Sequence, residues 1–168
     1  MTLKLSVLTP SFNSGKYLER AIQSVLKQDY ANWEHIIMDG GSTDNTLEVL
    51  KKYPHLSWKM EKDAGQADAM NKAFKASTGD IIVYLNADDY FEENVFATVI
   101  QAFSKDSTAD MVVGNGINVN SVTQSSASWC SEINYRRCLQ FYKYQFPIYH
   151  RSGRRTRERS RLASAYRP

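Results

Sequence analysis

Segments with the apolar pattern of buried strands alternate with segments of helical apolar spacing from residue 3 to residue 103. In each helical segment, apolar residues recur every three or four positions, as in a helix that packs one face against a sheet. Because parallel strands need crossover connections, this order favours an α/β fold, a mostly parallel sheet with helices on both faces. The predicted strands are residues 3–8, 33–38, 57–61 and 81–85.

A cluster of polar residues and glycines follows each predicted strand. Asp, Asn, Gly, Ser and Thr are common in ordinary turns, so one such cluster would carry little information. In open α/β sheets, however, ligands bind beyond the carboxyl ends of the strands, where all four clusters would meet. This convergence predicts a binding site at that edge of the sheet. The clusters are residues 9–15, 39–46, 63–72 and 86–89.

The last cluster contains two adjacent acids, Asp88 and Asp89. Carboxylates at the end of a buried strand suit a divalent cation that prefers oxygen ligands, with or without phosphates bound behind it. A predicted helix that begins soon afterwards provides another interpretation, in which Asp89 caps this helix and Glu92 and Glu93 lie in its first turn. The residues alone leave both interpretations open.

The chain has 168 residues, a length that suits one domain with a sizeable core. No apolar run reaches the roughly eighteen residues that cross a bilayer, and the N-terminus runs directly into a strand, so a cytoplasmic protein is expected. Cys130 and Cys138 lack the spacing of metal ligands and are predicted to be free thiols.

Charge is distributed unevenly along the chain. Residues 151–168 carry seven arginines and one acid, a net +6, so the first 150 residues carry −3 of the overall +3. We predict a domain over residues 1–148 and an Arg-rich tail over residues 149–168 that is disordered or translated out of frame. Since no base-reading motif accompanies the tail, no nucleic-acid partner is expected, whereas peripheral association with the inner face of a membrane is an alternative.

Four ordered motifs resemble family 2 of the nucleotide-sugar glycosyltransferases, and the resemblance extends from residue 1 to about residue 148. It implies a GT-A fold, a Rossmann-like α/β domain whose donor-binding half comes first. It also implies transfer of a sugar, with inversion, from a nucleotide diphosphate donor. The motifs are SVLTPSFN (6–13), IMDGGSTD (37–44), DAGQADAMNK (63–72) and YLNADD (84–89).

The resemblance also implies roles for individual residues at the predicted site. It places Thr9 and Pro10 at the base and ribose and gives Asp39 a hydrogen bond to the base, usually uracil. It places Asp63 and Asp68 along the ribose and diphosphate. The nucleotide-binding residues implied are therefore Thr9, Pro10, Asp39, Asp63, Asp68 and Asp88.

Asp88 and Asp89 match the family's metal motif, which is usually written Asp-x-Asp. Its first position is Asn86 here, which leaves Asp89, with Asp88 beside it, as the stronger ligand. The cofactor implied is Mg²⁺ or Mn²⁺, which suits oxygen ligands. Such a cation neutralises the charge that develops on a departing diphosphate.

Inversion also requires a general base, which in this family is an acid well downstream of the metal motif. After Asp110 the only acids are Glu132 and Glu158, and Glu132 is predicted to lie in the first turn of a helix. We therefore assign no general base and expect that the acceptor-side half is missing.

Two functions remain open at this point. The first is a metal-dependent inverting glycosyltransferase that uses a nucleotide-sugar donor, expected to be a UDP-sugar, and a saccharide or lipid-linked acceptor in cell-surface polysaccharide biosynthesis. The second is a non-catalytic nucleotide-sugar-binding module that lacks the base. Turnover would distinguish them.

Three finer predictions concern packing. His35 is expected on the outer face of its strand, and Tyr17 and Leu26 on the buried face of the first helix. An aromatic stripe is predicted to be packing, with a sugar platform as the alternative and homo-oligomerisation through it as a consequence. The stripe consists of Tyr135, Phe141, Tyr142 and Tyr144.

Overall fold

The computed structural model describes residues 2–119, 126–129 and 148–151. The helices are α1 (Leu18–Leu26), α2 (Thr46–Lys51), α3 (Gln66–Ala76) and α4 (Val95–Lys105). The strands are β1 (Leu5–Ser11), β2 (Trp33–Asp39), β3 (Ser57–Met60), β4 (Ile81–Tyr84), β5 (Met111–Val113), β6 (Gly116–Val119), β7 (Ser126–Trp129) and β8 (Ile148–Arg151).

A 6-stranded sheet in the order β3-β2-β1-β4-β8-β5 forms the centre of the fold. The first four strands are parallel to one another. Strand β8 runs antiparallel between β4 and β5, and β6 and β7 form a separate antiparallel pair. The predicted mostly parallel α/β sheet is therefore confirmed.

Helices cover both faces of this sheet. Successive side chains of a strand point to opposite faces, so one strand contacts helices on both sides. Leu5 and Val7 of β1 belong to a buried cluster with residues of α1 and α4. Leu8 of the same strand packs instead in a cluster with Ala73 of α3. Strand β1 is thus buried along its whole length, as expected for a central parallel strand, whereas the edge strand β3 is partly exposed.

Strand β1 is longer than predicted and includes Thr9, Pro10 and Ser11, which the sequence had assigned to a loop. These residues pair with the end of β2, where Ser11 lies opposite Asp39. Proline is tolerated here because β4 pairs with β1 only as far as Leu8, so the strand needs no further N–H group on that side.

The prediction that His35 lies on an outer face is wrong. Its side chain is 1% exposed, and its Nε2 lies 2.9 Å from the hydroxyl of Thr9. His35 shares the face of β2 that carries Ile37, which packs with residues of α1 and α2. Burial, with a smaller contribution from His55, lowers the pKa of His35 to about 3, so the ring is neutral.

The first helix also differs from expectation at both of its ends. Tyr17 is 50% exposed and Leu26 is 42% exposed, although both were predicted on the buried face. Tyr17 precedes the first helical residue and Leu26 is the last one, so both lie at the ends of the helix. The four residues predicted to be buried between them, Leu18, Ala21, Ile22 and Val25, are buried.

Strand β8 crosses the boundary predicted between domain and tail. Residues 149–151 were assigned to the Arg-rich tail, but they form part of this strand. The rest of the tail, the aromatic stripe, both cysteines and Glu132 lie outside the described residues. None of the described helices is long and apolar enough to cross a membrane.

Candidate functional site

The four segments that follow the parallel strands lie side by side at the carboxyl edge of the sheet. We call them loops 1 to 4 and refer to the four together as the rim. Because β2 and β4 flank β1, loops 2 and 4 lie on either side of loop 1. Loop 1 is residues 12–17, loop 2 is 40–45, loop 3 is 61–65 and loop 4 is 85–94.

Loops 1 and 2 are joined by hydrogen bonds at three points. The backbone N–H of Asn13 donates to the hydroxyl of Ser42 at 2.7 Å, and that of Thr43 donates to Asn13 Oδ1 at 2.9 Å. The N–H of Gly15 donates to Asp44 Oδ2 at 3.0 Å. Asn13 has a left-handed backbone, with φ of 49°, which asparagine tolerates better than most residues.

Asp39, the last residue of β2, forms the floor beneath loop 2. Its Oδ1 accepts the backbone N–H groups of Gly41 at 3.1 Å and Ser42 at 2.8 Å. Its Oδ2 accepts the Ser42 hydroxyl at 2.6 Å. With 1% exposure, the carboxylate of Asp39 holds loop 2 in place from below.

Loop 3 contacts loop 2 where Gly40 and the side chain of Asp63 lie close together. A Cβ atom on Gly40 would lie 2.9 Å from Asp63 Oδ2, so a glycine allows the two loops to meet. The other oxygen of Asp63 accepts the N–H of Gly65 at 2.8 Å. Asp63, predicted to bind the nucleotide, is thus next to the loop that Asp39 supports.

Asp68 lies in the first turn of α3 and is paired within its own helix. Its Oδ2 accepts from Lys72 Nζ at 3.0 Å and from the N–H of Ala64 at 3.2 Å. The bond from Lys72, followed by the bond from Ala64, lowers the pKa of Asp68. Lys72 also pairs with Glu61 at 3.2 Å, so these three side chains form one charged network at the start of α3.

Loop 4 carries the two adjacent acids. Asp88 is exposed and Asp89 is half-buried. Gln66 of α3 donates to Asn86 Oδ1 at 2.8 Å, and Asn86 in turn donates to Asp89 Oδ2 at 2.9 Å. Burial raises the pKa of Asp89, the bond from Asn86 opposes this, and the charge of Asp88 adds to the increase.

The alternative role of Asp89 as a helix cap is wrong. Helix α4 begins at Val95, and its N-cap residue is Asn94, which is left-handed with φ of 61°. Glu92 and Glu93 precede this helix instead of occupying its first turn. The acids of loop 4 are therefore separate from the start of α4.

Thr9 and Pro10 were predicted at the base and ribose, but both side chains are buried. The hydroxyl of Thr9 is bonded to His35, so this group already has a partner inside the fold. The sequence interpretation assigned no role to Phe12, the next loop residue, which is 63% exposed. The signal that could have marked Phe12 as a candidate ligand contact is a large apolar side chain within a polar cluster.

A divalent cation fits a small donor set at loop 4. Among the residues that the structure describes, no group of three or more His, Cys, Asp or Glu side chains could hold a metal ion. A magnesium-type ion that also binds phosphate oxygens and water needs only one or two protein carboxylates. Asp88 and Asp89, two neighbouring carboxylates whose negative charges repel each other, are the acids of loop 4 that would hold such an ion.

Comparison with solved structures confirms the Rossmann-like GT-A fold. The crystal structure of S. aureus TarS 1-349 in complex with UDP-GlcNAc matches with a TM-score of 0.57 and 29% identity, over 65% of this chain and 33% of that one. The mannosyltransferase PcManGT from Pyrobaculum calidifontis, in complex with GDP-Man and Mn²⁺, matches with a TM-score of 0.56 and 25% identity, over 66% of this chain and 35% of that one.

Comparison with curated sequences gives the same family. The chondroitin synthase of Pasteurella multocida (strain Pm70) is 34% identical over 120 residues, which are 69% of this chain and 12% of the synthase. The first curated relatives are matched over 40%, 54% and 38% of their own length, so the chain spans about half of them or less. The model of the family "Glycosyl transferase family 2" matches residues 6–160, and the chain therefore belongs to glycosyl transferase family 2.

Proposed function

We propose that the rim binds a nucleoside-diphosphate sugar, expected to be a UDP-sugar, and that this chain is the donor-binding part of an inverting glycosyltransferase. The acceptor would be a saccharide or a lipid-linked saccharide in cell-surface polysaccharide synthesis. The observation that carries the proposal is the set of contacts that joins loops 1, 2 and 3 directly and reaches loop 4 through Gln66 of α3. It brings four acids from one strand end and two loops to one edge of the sheet: Asp39, Asp63, Asp88 and Asp89.

In this proposal loops 1 and 2 receive the base. The exposed ring of Phe12 offers a flat apolar surface on which a base can stack. Asp39 acts mainly by fixing the backbone of loop 2, since its oxygens already accept three hydrogen bonds, and about one acceptor site remains for a base. Thr9 and Pro10, both buried at the end of β1, are proposed to lie beneath the base and ribose.

Asp63 and Asp68 are proposed to line the ribose and diphosphate side of the rim. Asp68 shares its charge with Lys72, which places a cation at the start of α3 beside this side of the site. An anionic diphosphate next to carboxylates needs positive charge close by, and the ammonium group of Lys72 is one source of it.

Asp88 and Asp89 would hold Mg²⁺ or Mn²⁺ together with the diphosphate. When bound, such a cation neutralises the negative charge that a diphosphate gains as it leaves the sugar. Asn86 orients Asp89, because its side-chain amide accepts a hydrogen bond from Gln66 and donates one to the Asp89 carboxylate. The proposal is supported by the donors and the Mn²⁺ of the two solved relatives and by the polysaccharide named for the chondroitin synthase.

A non-catalytic nucleotide-sugar-binding module is the second candidate function. The observation that favours it is that the described residues after Asp110 include no aspartate or glutamate, and a general base is needed for inversion. Both candidates require binding of the donor, so transfer or hydrolysis of the donor sugar separates them.

The first test is equilibrium binding of UDP to the chain with and without MnCl₂. We expect binding that depends on Mn²⁺ and that falls by about tenfold or more in Asp89→Asn, because one ligand charge is lost. Asp29→Asn is the matched control, since Asp29 is exposed beside a surface pocket formed with Trp33 and His55 and lies outside the rim. No binding of UDP, or equal binding with and without Mn²⁺ and in both variants, would contradict the proposal.

A further inference from the structure

Side chains of helix α1 contact the segment that follows the two acids of loop 4. The guanidinium carbon of Arg20 lies 3.6 Å from the centre of the Tyr90 ring, the residue directly after Asp89. One turn later, the hydroxyl of Ser24 accepts the backbone N–H of Phe91 at 3.1 Å and donates to the carbonyl of Ala21 at 2.7 Å.

A third side chain of the same series, Gln28, lies just beyond the end of α1. Its Nε2 donates to the carbonyl of Glu92 at 2.7 Å. Its Oε1 accepts the N–H groups of Val95 at 3.0 Å and Phe96 at 3.1 Å. Since Asn94 makes no side-chain cap bond, Gln28 caps helix α4 from another element.

Arg20 and Ser24 are spaced four apart, which places them on one side of α1, and Gln28 continues this spacing just beyond the end of the helix. Two of the three are buried, Ser24 at 8% and Gln28 at 9% exposure, although both are polar. Most buried polar side chains have hydrogen-bond partners, and the side chains of Ser24 and Gln28 bond the backbone of Phe91, Glu92, Val95 and Phe96.

Loop 4 is therefore fixed on both sides of its acids. On the side before them, Asn86 is bonded to Gln66 of α3, and Ala87 is buried in a cluster with Leu18 and Ile22 of α1. On the side after them, Arg20, Ser24 and Gln28 hold the chain. Asp88 and Asp89 lie in the short stretch between these two attachments.

We propose that Arg20, Ser24 and Gln28 are positioning residues that hold Asp88 and Asp89 in the geometry that binds a divalent cation with a diphosphate. The inference rests on the proposed function and adds residues that touch neither the donor nor the metal. Carboxylates gain affinity for a cation when surrounding contacts fix them in advance, because less conformational freedom is lost on binding. Helix α1 thus acts on the acids through Tyr90, Phe91 and Glu92.

Hydrogen exchange on the chain without ligand tests whether Arg20, Ser24 and Gln28 hold loop 4 in place. Arg20→Ala and Ser24→Ala should speed amide exchange of residues 86–94 by about fivefold, while exchange in β2 and β3 stays unchanged. Lys27→Ala, an exposed change near the end of the same helix, is the control and should leave loop 4 as in the wild type. Unchanged exchange of residues 86–94 in both variants would overturn the proposal.

Binding of UDP, with and without MnCl₂, tests the consequence for the cation. In Arg20→Ala we expect UDP affinity to fall about fivefold with Mn²⁺ present and to change less than about twofold without it. An equal loss under both conditions would indicate general damage to the rim and would overturn the positioning role. If the wild type itself binds no UDP, the proposed function fails, and the cation part of this inference fails with it, whereas the exchange result still decides whether α1 holds loop 4.

Discussion

At the scale of single residues, the acids at the rim divide into those that build loops and those that are free to bind. Asp39 accepts three hydrogen bonds from loop 2, and Asp44 accepts the N–H of Gly15 from loop 1. Asp88, in contrast, is exposed. A cluster of acids in the sequence does not reveal this division, because turn chemistry and ligand binding use the same residue types.

The division predicts different costs for two alanine substitutions. Asp39→Ala leaves two backbone N–H groups and the Ser42 hydroxyl without their acceptor, so we expect the free energy of unfolding to fall by about 2–4 kcal/mol. Asp88→Ala should change it by less than about 0.5 kcal/mol, as at most exposed positions. Urea unfolding followed by circular dichroism in the absence of ligand measures both. Equal stability of the two variants would show that Asp39 does not support loop 2.

At the scale of elements, a polar network joins β1 and β2 to the segment between α3 and β4 at the edge of the sheet opposite the rim. Glu34 of β2 accepts from Lys4 Nζ at 2.8 Å, from the Ser6 hydroxyl of β1, and from the N–H of Thr78 at 2.7 Å, just before β4. Burial opposes the charge of Glu34, but these donors outweigh it and lower its pKa to about 2. The network ties the end of α3 to the two central strands.

This network predicts a specific pH dependence of stability. Since the folded pKa of Glu34 lies below the ordinary value of 4.5, its stabilisation is complete above about pH 4.5 and is lost as the pH falls toward 2. Asp44, Glu61 and Asp68 also have lowered pKa values, so the whole chain weakens in acid. The difference in unfolding free energy between wild type and Glu34→Gln should therefore shrink by about 1–2 kcal/mol from pH 6 to pH 2.5. A difference that stays constant over this range would assign the lowered pKa no role in stability.

Prediction from sequence succeeded where the signal was local. The parallel strands and their helices follow from apolar periodicity, and the edge where loops 1 to 4 meet follows from the strand order that such units adopt. Burial of His35 and the grip of Arg20, Ser24 and Gln28 on loop 4 depend on which elements meet in space. A polar side chain that faces a distant partner has no periodic signature, so these contacts needed the structure.

At the scale of the whole molecule, the sheet is completed by a strand far away in sequence. Strand β8 pairs with β4 on one side and β5 on the other, both antiparallel. Its residues 149–151 were predicted to belong to a charged tail, because a four-residue strand next to an arginine-rich segment has too few apolar residues to be recognised. Strand β8, the last described element, thus connects the parallel strands to β5.

Two truncations test this closure of the sheet. A chain ending after residue 147 removes β8, exposes the edges of β4 and β5 and leaves β5 without its partner strand, whereas a chain ending after residue 151 retains the strand. We expect the shorter chain to unfold at a lower urea concentration, with a loss of about 2 kcal/mol or more relative to the longer one, because ladder hydrogen bonds and side-chain packing are lost together. Unfolding at the same midpoint would mean that β4 needs no neighbour on that side. The comparison also decides where the domain ends, since a boundary at residue 148 predicts equal stability and a boundary beyond residue 151 does not.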